Sequence, residues 1–399
     1  MHCLTRDAGT FGAFTRLLAG AVLAIVCMPA SPTPRVPTDD AEVIETLPSV
    51  AGWSRQERQL RRALAQSPKS ESLALRAATS YLDLARAQGD ARYAGHAMGA
   101  LKAWDGVAPN QTPPAILVMR ATVAQFLHDF DGAEAGLKAA LAQQPVNAQA
   151  WLTLATLHRV RGRYADSDAA CRATARVGPA LYGVACLAEN DALRGRYDAA
   201  RLALSQLIDD PRLQGAAQAG TRNWLLTTLA EVEELAGRTS QADAAYRRAI
   251  ADERSGYVLL AYSDFLMQSG RIGEVARVLG GEARSDAVLL RLAITARRQG
   301  ATSAGLADEL QARFAAASLR PGAVTAHARE QAMFALDVRG DAKRALELAR
   351  LNVTLQREPI DLLLLARAAA AANDAVARDE AKALVRQMGL RDARVDALL

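Results

Sequence analysis

The sequence predicts an all-α protein built from repeated pairs of helices, and three observations support this prediction. The 399-residue chain is 50% hydrophobic but only 5% aromatic. It is rich in Ala, Leu and Arg, which lose little conformational freedom in a helix. From Ser54 onward, helical segments of about a dozen residues alternate with Gly, Asp, Asn or Pro, and the residues that separate them recur at similar distances.

The recurrence is clearest in the small or polar residues that separate the two helices of each predicted pair. The distances between successive members are 39, 34, 33, 42, 33, 30, 40 and 33 residues. A period of 33 or 34 is typical of helix-turn-helix units, which cannot bury their apolar faces alone and must stack. The members are Gly89, His128, Gly162, Gly195, Gly237, Gly270, Gly300, Gly340 and Asn373.

The three long distances predict insertions between repeats, at residues 104–114, 209–220 and 316–326. All three segments contain Pro and Gly, which interrupt regular structure. We therefore expect surface loops at these places.

The segment 148–181 resembles a tetratricopeptide repeat. It follows the W-x2-L-G…Y…P pattern of that family, with Ala155 at the position where two helices cross closely. The matching residues are Trp151, Leu154, Ala155, Gly162, Tyr164 and Pro179. Looser matches cover residues 70–390. The resemblance implies a tetratricopeptide-like α-solenoid over residues 54–399, with about eight to nine antiparallel helix pairs forming a right-handed superhelix and capping helices at 374–399.

The first thirty residues have the features of an export signal. Arg6 and Arg16 precede an apolar run at 17–28, which is too short to span a bilayer but suits the core of a signal peptide. We expect residues 1–30 to be removed, residues 31–53 to form an extended tether, and the mature protein to be periplasmic, without membrane insertion. The alternatives are an uncleaved membrane anchor and a lipidated Cys27.

The sequence contains none of the motifs that usually identify a catalytic or cofactor site. It has no phosphate-binding loop, dinucleotide turn, nucleophile elbow or zinc-binding helix. We therefore expect no enzyme activity, no cofactor and no metal. The 48 basic and 43 acidic residues are interspersed without a basic stripe, which argues against nucleic-acid binding.

The family resemblance implies that the first helix of each pair lines a concave groove for a protein or peptide. Aromatic residues interleaved with acids on this wall would suit a partner that is basic and partly apolar. The alternative is that the aromatic residues pack within the solenoid and the acids are solvated. The groove residues implied by the resemblance are Tyr182, Glu189, Trp224, Glu231, Glu234, Tyr257, Asp264 and Met267.

Two cysteines remain if cleavage follows Ala30, and they lie on consecutive predicted helices. Cys171 and Cys186 are therefore able to approach within the distance that a disulfide requires. A disulfide and a pair of buried free thiols both fit this arrangement.

Two functions fit these observations. The first is an exported scaffold or assembly factor that binds a protein in the groove. The second is an enzyme, or an accessory subunit of an envelope enzyme or of a glycan or polymer machinery, and two or more close acids with a buried basic partner would favour it.

Overall fold

The computed structural model describes residues 55–301, 303–319, 325 and 327–399, and within these ranges the regular secondary structure is helical throughout. The predicted signal peptide, which includes Cys27, and the predicted tether at 31–53 lie outside the described residues. None of the helices in the described part of the chain combines the length and the apolar character needed to cross a bilayer.

The described residues form twenty α-helices, most of them between 10 and 18 residues long. In chain order they are α1 (Arg55–Gln66), α2 (Glu71–Gln88), α3 (Ala91–Ala100), α4 (Pro114–Phe126), α5 (Phe130–Gln143), α6 (Ala148–Val160), α7 (Tyr164–Val177), α8 (Ala180–Leu193), α9 (Tyr197–Ile208), α10 (Ala219–Leu235), α11 (Thr239–Asp252), α12 (Gly256–Gln268), α13 (Ile272–Val278), α14 (Asp286–Arg298), α15 (Ala304–Ser318), α16 (Ala328–Met333), α17 (Ala342–Leu355), α18 (Pro359–Ala371), α19 (Ala375–Met388) and α20 (Ala393–Asp396).

The predicted turn residues are the points at which the chain reverses between paired helices. All nine have a positive φ, from 51° at Asn373 to 85° at Gly195. Glycine reaches this left-handed conformation without a steric penalty, and a left-handed residue at the end of a helix lets the chain leave it sharply. Within the described residues, nine antiparallel pairs follow one another from α2–α3 to α18–α19, which confirms the predicted α-solenoid.

Polar residues before several helices fix where those helices begin. The side chain of Asn147 accepts the N–H of Ala150 at 2.9 Å and caps α6, and Asp374 caps α19 by accepting the N–H of Ala377 at 2.9 Å. A cap of this kind satisfies one of the N–H groups that a helix leaves unpaired in its first turn.

The predicted insertions are partly ordered. Residues 104–114 and 209–220 contain short 3₁₀ turns, Lys102–Trp104, Pro109–Gln111, Pro211–Leu213 and Ala216–Gln218. Part of the third insertion, 316–326, lies outside the described residues. The last of the predicted capping helices is short and covers Ala393–Asp396, and Asp392 caps its start by accepting the N–H of Arg394.

The last part of the chain packs against earlier repeats. The N–H of Arg357 donates to the carbonyl of Val160, the last residue of α6, at 2.7 Å. The N–H of Arg391 donates to the carbonyl of Leu193, the last residue of α8, at 2.8 Å. These bonds satisfy carbonyls that a helix leaves unpaired at its C-terminal end, so the segment after α17 joins the ninth pair to the third and fourth.

Cys171 on α7 and Cys186 on α8 are joined by a disulfide, with their Cα atoms 5.6 Å apart. Both residues are fully or almost fully buried, in a small cluster with Ala155 and Ala170. The bond fastens the second helix of the third pair to the first helix of the fourth pair.

We expect the disulfide to be present in protein purified from an oxidising compartment. Non-reducing digestion and mass spectrometry should recover the peptides that contain Cys171 and Cys186 as one linked species. Because the bond closes a loop of 15 residues, replacing both cysteines by Ala should lower the free energy of unfolding by about 3 kcal/mol. Recovery of two separate, alkylated peptides would contradict this expectation.

Candidate binding site in the concave cavity

The inner face of the solenoid encloses a cavity of 320 Å³, which we call the concave cavity. The first helix of each of seven successive pairs contributes to its wall, from α6 to α18, and α20 adds one side chain from the C-terminal segment. First helices supply most of the wall, and two second helices, α7 and α11, add Tyr164 and Tyr246. The family resemblance implied the role of the first helices.

The wall of the concave cavity is strongly charged and carries two more carboxylates than guanidinium groups. The carboxylates are those of Glu189, Glu231, Glu234, Asp264, Glu330 and Glu358. The guanidinium groups are those of Arg159, Arg291, Arg329 and Arg394. The hydroxyl groups of Tyr164, Tyr246 and Tyr257 are the aromatic polar groups of the wall.

Each of the four arginines is bound by a carboxylate. Nε of Arg159 lies 2.8 Å from Oε1 of Glu189, and a nitrogen of Arg291 lies 2.5 Å from Oδ2 of Asp264. Arg329 lies 2.6 Å from the carboxylates of both Glu358 and Asp361. Charge-assisted hydrogen bonds of this kind offset the cost of removing the charges from water.

Of these ion pairs, the pair formed by Arg394 joins the residues that are farthest apart in the sequence. Its guanidinium lies 3.2 Å from Oε1 of Glu234 and 3.2 Å from Oε1 of Gln268. The hydroxyl of Tyr246 donates to the other oxygen of Glu234 at 2.7 Å. We call this part of the cavity, formed by Glu234, Gln268 and Arg394, the closed end.

Glu231 has different surroundings. Its Oε1 accepts the hydroxyl of Tyr257 at 2.6 Å, and among the described residues no basic side chain forms an ion pair with it. Burial in the cavity wall raises the pKa of Glu231 to about 8, and the negative charge of Glu189 adds to the rise. The Tyr257 side chain is 65% exposed, so water reaches this part of the wall. We call the part formed by Glu189, Glu231 and Tyr257 the open end.

The pKa values of neighbouring groups shift for related reasons. Burial raises the pKa of Glu189 and of Glu234, although Arg159 and Arg394 respectively oppose the rise. The negative charge of Glu231 raises the pKa of the Tyr257 hydroxyl. The hydroxyl of Tyr257 therefore stays protonated and remains a hydrogen-bond donor to Glu231.

A smaller pocket of 190 Å³ adjoins the open end and shares Arg159 and Glu189 with the concave cavity. Its aromatic side is formed by Tyr182 and Trp224, whose ring centres are 5.7 Å apart. Trp224 is half-buried against the hydrophobic core, so part of its ring packs within the solenoid, as the alternative to a groove role predicted.

The fold is that of known helical-repeat structures. A Rap protein complexed with Competence and Sporulation Factor has a TM-score of 0.52 and 11% identity, over 86% of this chain and 91% of that chain. The chain is a tetratricopeptide-type α-solenoid. This likeness concerns the fold alone. No protein-family model and no curated protein matches the sequence of the solenoid.

Two further structures resemble the solenoid more distantly. A tetratricopeptide repeat protein from Parabacteroides merdae ATCC 43184 has a TM-score of 0.43 and 17% identity over 60% of this chain and 90% of that chain. PilF from Pseudomonas aeruginosa has a TM-score of 0.30 and 12% identity, over 71% of this chain and 95% of that chain.

Seven of the eight predicted groove residues line one of the two adjoining pockets of the solenoid. Glu189, Glu231, Glu234, Tyr257 and Asp264 lie on the wall of the concave cavity, and Tyr182 and Trp224 lie in the adjoining pocket. The eighth, Met267, is only 7% exposed and belongs to the hydrophobic core. Gln268 lines the cavity instead, because it lies eleven residues, or about three helical turns, after Tyr257 on the same face.

The groove positions of the family did not predict several residues of the cavity wall. Arg291 lies 27 residues after its partner Asp264, in the next first helix, so a search for opposite charges in neighbouring repeats would have found it. Arg394 lies 160 residues after Glu234, and no local pattern links the two. Within the described part of the solenoid, no group of three or more His, Cys, Asp and Glu side chains is arranged to hold a metal ion.

We expect Glu231→Gln to stabilise the solenoid at alkaline pH. The carboxyl stays protonated in the folded protein up to a pH of about 8, whereas in the unfolded chain it ionises near 4.5. Its contribution to stability is therefore complete below pH 4.5 and is lost as the pH rises through about 8. Glutamine has the shape of the protonated acid and avoids this loss.

The free energy of unfolding of Glu231→Gln, relative to the unmodified protein, should be greater at pH 9 than at pH 5, by about 1–2 kcal/mol because water at the open end weakens the effect. Urea unfolding at the two pH values measures this difference. Glu71→Gln, at an exposed position of α2, serves as the control and should show no such change. An equal effect of Glu231→Gln at both pH values would disprove the proposed protonation.

Proposed function

We propose that this protein is an exported, non-catalytic scaffold or assembly factor that binds a basic and partly apolar segment of another protein at the concave cavity. The observation that carries the proposal is the open end, where Glu231 has a tyrosine as its partner and forms no ion pair with any basic side chain in the described part of the chain. The arrangement supports binding because the carboxyl of Glu231, which is protonated near pH 7, is able to give up its proton and pair with a positive charge, while Tyr182, Trp224 and Tyr257 offer apolar surface beside it.

Electrostatics supports a basic partner. The surplus of carboxylates gives the cavity a negative field, and low-dielectric walls concentrate such a field at a cleft. A positively charged segment would be drawn to the cavity, and an acidic one would be repelled. The likeness to the Rap protein concerns the fold, so the nature of the partner is inferred from the cavity and not from that structure.

The proposal of export depends on the apolar run at 17–28 and the arginines before it. Expression of the full chain in a Gram-negative host should yield periplasmic protein, and N-terminal sequencing should read from Ser31. A full-length chain in the cytoplasm would refute export. A lipid-modified chain that begins at Cys27 would instead support the membrane-anchored alternative.

The binding proposal predicts that substitutions at two residues weaken binding in different ways. Trp224→Ala should weaken partner binding by about 2 kcal/mol if the indole is an anchor. Glu231→Lys should mainly slow association, because it places a repulsive positive charge where the cation of the partner would bind. A quantitative pull-down from the envelope fraction, followed by surface plasmon resonance with the captured protein, measures both effects.

The matched controls lie on second helices, outside the cavity. Leu202→Ala removes a side chain of α9 that is 61% exposed, and Asp379→Lys reverses a charge on α19. Neither control should alter binding. If Trp224→Ala and Glu231→Lys fold normally and bind the same protein with unchanged affinity, partner binding at the cavity is wrong.

The second candidate, an enzyme or an accessory subunit of an envelope enzyme, is favoured by one specific observation. Glu189, Glu231 and Glu234 are close acids with largely buried basic partners in Arg159 and Arg394. A carboxyl that is protonated near neutral pH is able to act as a general acid. Loss of an envelope-polymer activity in Glu231→Gln, with partner binding retained, would favour this candidate over the scaffold.

A further inference from the structure

The two ends of the concave cavity are chemically alike but differently occupied. At the closed end, the guanidinium of Arg394 contacts the carboxylate of Glu234 and the amide oxygen of Gln268, both at 3.2 Å. The hydroxyl of Tyr246 holds the second oxygen of Glu234 at 2.7 Å. Asp392 holds the same guanidinium more closely, at 2.7 Å, so this end shows a guanidinium that a neighbouring acid positions against a carboxylate supported by a tyrosine hydroxyl.

The open end repeats the carboxylate and the tyrosine, but no guanidinium of the described residues pairs with Glu231. The hydroxyl of Tyr257 contacts Oε1 of Glu231 at 2.6 Å, as that of Tyr246 contacts Glu234. Arg159 lies nearby but is bound to Glu189 at 2.8 Å. Within the described residues, Glu231 thus keeps its capacity to accept further hydrogen bonds from a positively charged donor.

A second, independent observation concerns Tyr164, which also lines the concave cavity. Its side chain is only 4% exposed, and its hydroxyl has no hydrogen-bond partner among the described residues. A buried hydroxyl without a partner is costly, and most such groups in folded proteins are satisfied by protein, water or ligand. Tyr164 therefore offers an unmet polar atom to whatever occupies the cavity.

We propose that the open end of the concave cavity is a binding site for one guanidinium or primary ammonium group, which Glu231 and Glu189 hold beside the ring of Tyr257. The group belongs either to a small organic cation or to an Arg or Lys side chain of a partner. In the second case the proposal rests on the proposed function and names the group that the partner must supply.

The dimensions of the site set the size of its occupant. A volume of 320 Å³ is at the lower end for a small-molecule site and accommodates one long side chain or a small molecule, but not a folded segment. The adjoining pocket, with Tyr182 and Trp224, extends from Glu189 and accommodates an apolar stem attached to the cation. Aromatic faces beside a carboxylate attract an organic cation through its charge and its apolar surface together.

A divalent metal ion does not suit the open end. Calcium requires six to eight oxygen ligands and magnesium near-octahedral geometry. The described part of the chain brings together no cluster of that kind, and the tyrosine hydroxyl on Glu231 is a hydrogen-bond donor, not a metal ligand. Planar or tetrahedral nitrogen cations need only one carboxylate and a few acceptors.

The test uses a pair of ligands that differ in charge but not in shape. Isothermal titration calorimetry of the protein with n-butylguanidinium should show saturable binding at one site. The neutral isostere n-butylurea should bind at least tenfold more weakly. Glu231→Gln should weaken n-butylguanidinium binding at least tenfold, and Asp379→Asn on the outer helix α19 should leave it unchanged.

Proton release provides a readout specific to Glu231. Burial and the negative charges of Glu189 on α8, Glu234 on its own helix and Glu358 before α18 raise the pKa of this carboxyl to about 8, so it is mostly protonated at pH 7, although the hydrogen bond from Tyr257 on α12 opposes the rise. A cation favours the ionised form, so binding at pH 7 should release up to one proton. Titrations in phosphate and HEPES, which differ in ionisation enthalpy, measure the release, and Glu231→Gln should abolish it.

The source of the cation is decided by a second ligand, acetyl-Gly-Arg-Gly-amide, which presents the same group within a chain. Binding of the peptide at least tenfold tighter than n-butylguanidinium assigns the site to a partner side chain, and the reverse order assigns it to a small cation. Both results support the site.

The absence of saturable binding of either cation up to about 10 mM, or equal binding of n-butylguanidinium and n-butylurea, would overturn the proposal. So would unchanged n-butylguanidinium binding by Glu231→Gln, with circular dichroism confirming that the variant is folded. If the cation test fails but an envelope protein binds the unmodified protein and not Trp224→Ala, the cation site is refuted and the proposed scaffold function stands. If n-butylguanidinium binds but no such envelope protein is found, only the scaffold function is refuted.

Discussion

A pair of short helices cannot bury its apolar face alone, and the architecture of this protein follows from that constraint. Each pair must stack on the next, and stacking requires the chain to reverse at the same place in every repeat. The left-handed residues at the nine turns make this reversal possible. Because stacking aligns the first helices along one side, any residue placed on the inner face of one repeat lies beside its counterpart in the next, and a row of charges becomes a charged wall.

The C-terminal segment then changes what that wall encloses. An open groove exposes its charges to water, where an unpaired acid costs little. The segment from Arg357 to Arg394 bonds to the ends of α6 and α8 and adds side chains to the cavity wall. Carboxylates buried in such a wall lose part of their hydration. Each arginine of the wall offsets this cost at one or more carboxylates. Burial and charge pairing are therefore parts of one arrangement, and among the wall carboxylates only Glu231 and Glu330 form no ion pair with a described residue.

The parts of the structure that could be predicted from the sequence are those that depend on neighbouring residues. The turns and helix pairs follow from spacing and small side chains, so all nine turn residues were predictable, and so was the inner face of α10 with Glu231 and Glu234. Met267 was placed wrongly because its position in the repeat matches that of Glu234, whereas an apolar side chain gains more by packing into the core. The pairing of Arg394 with Glu234 depends on the cumulative rotation of several repeats, which no local spacing encodes.

The side chain that α12 places beside Glu231 is informative. A basic residue on α12 in place of Tyr257 would pair with Glu231, as Arg394 pairs with Glu234 at the other end. The chain instead has an exposed tyrosine there, which leaves the carboxyl with a raised pKa and a vacant acceptor. Sites where a protein departs from its own packing rule without a compensating contact are often functional. The cost of leaving Glu231 without an ion pair in the described part of the chain is consistent with a site in which the cation comes from outside the chain.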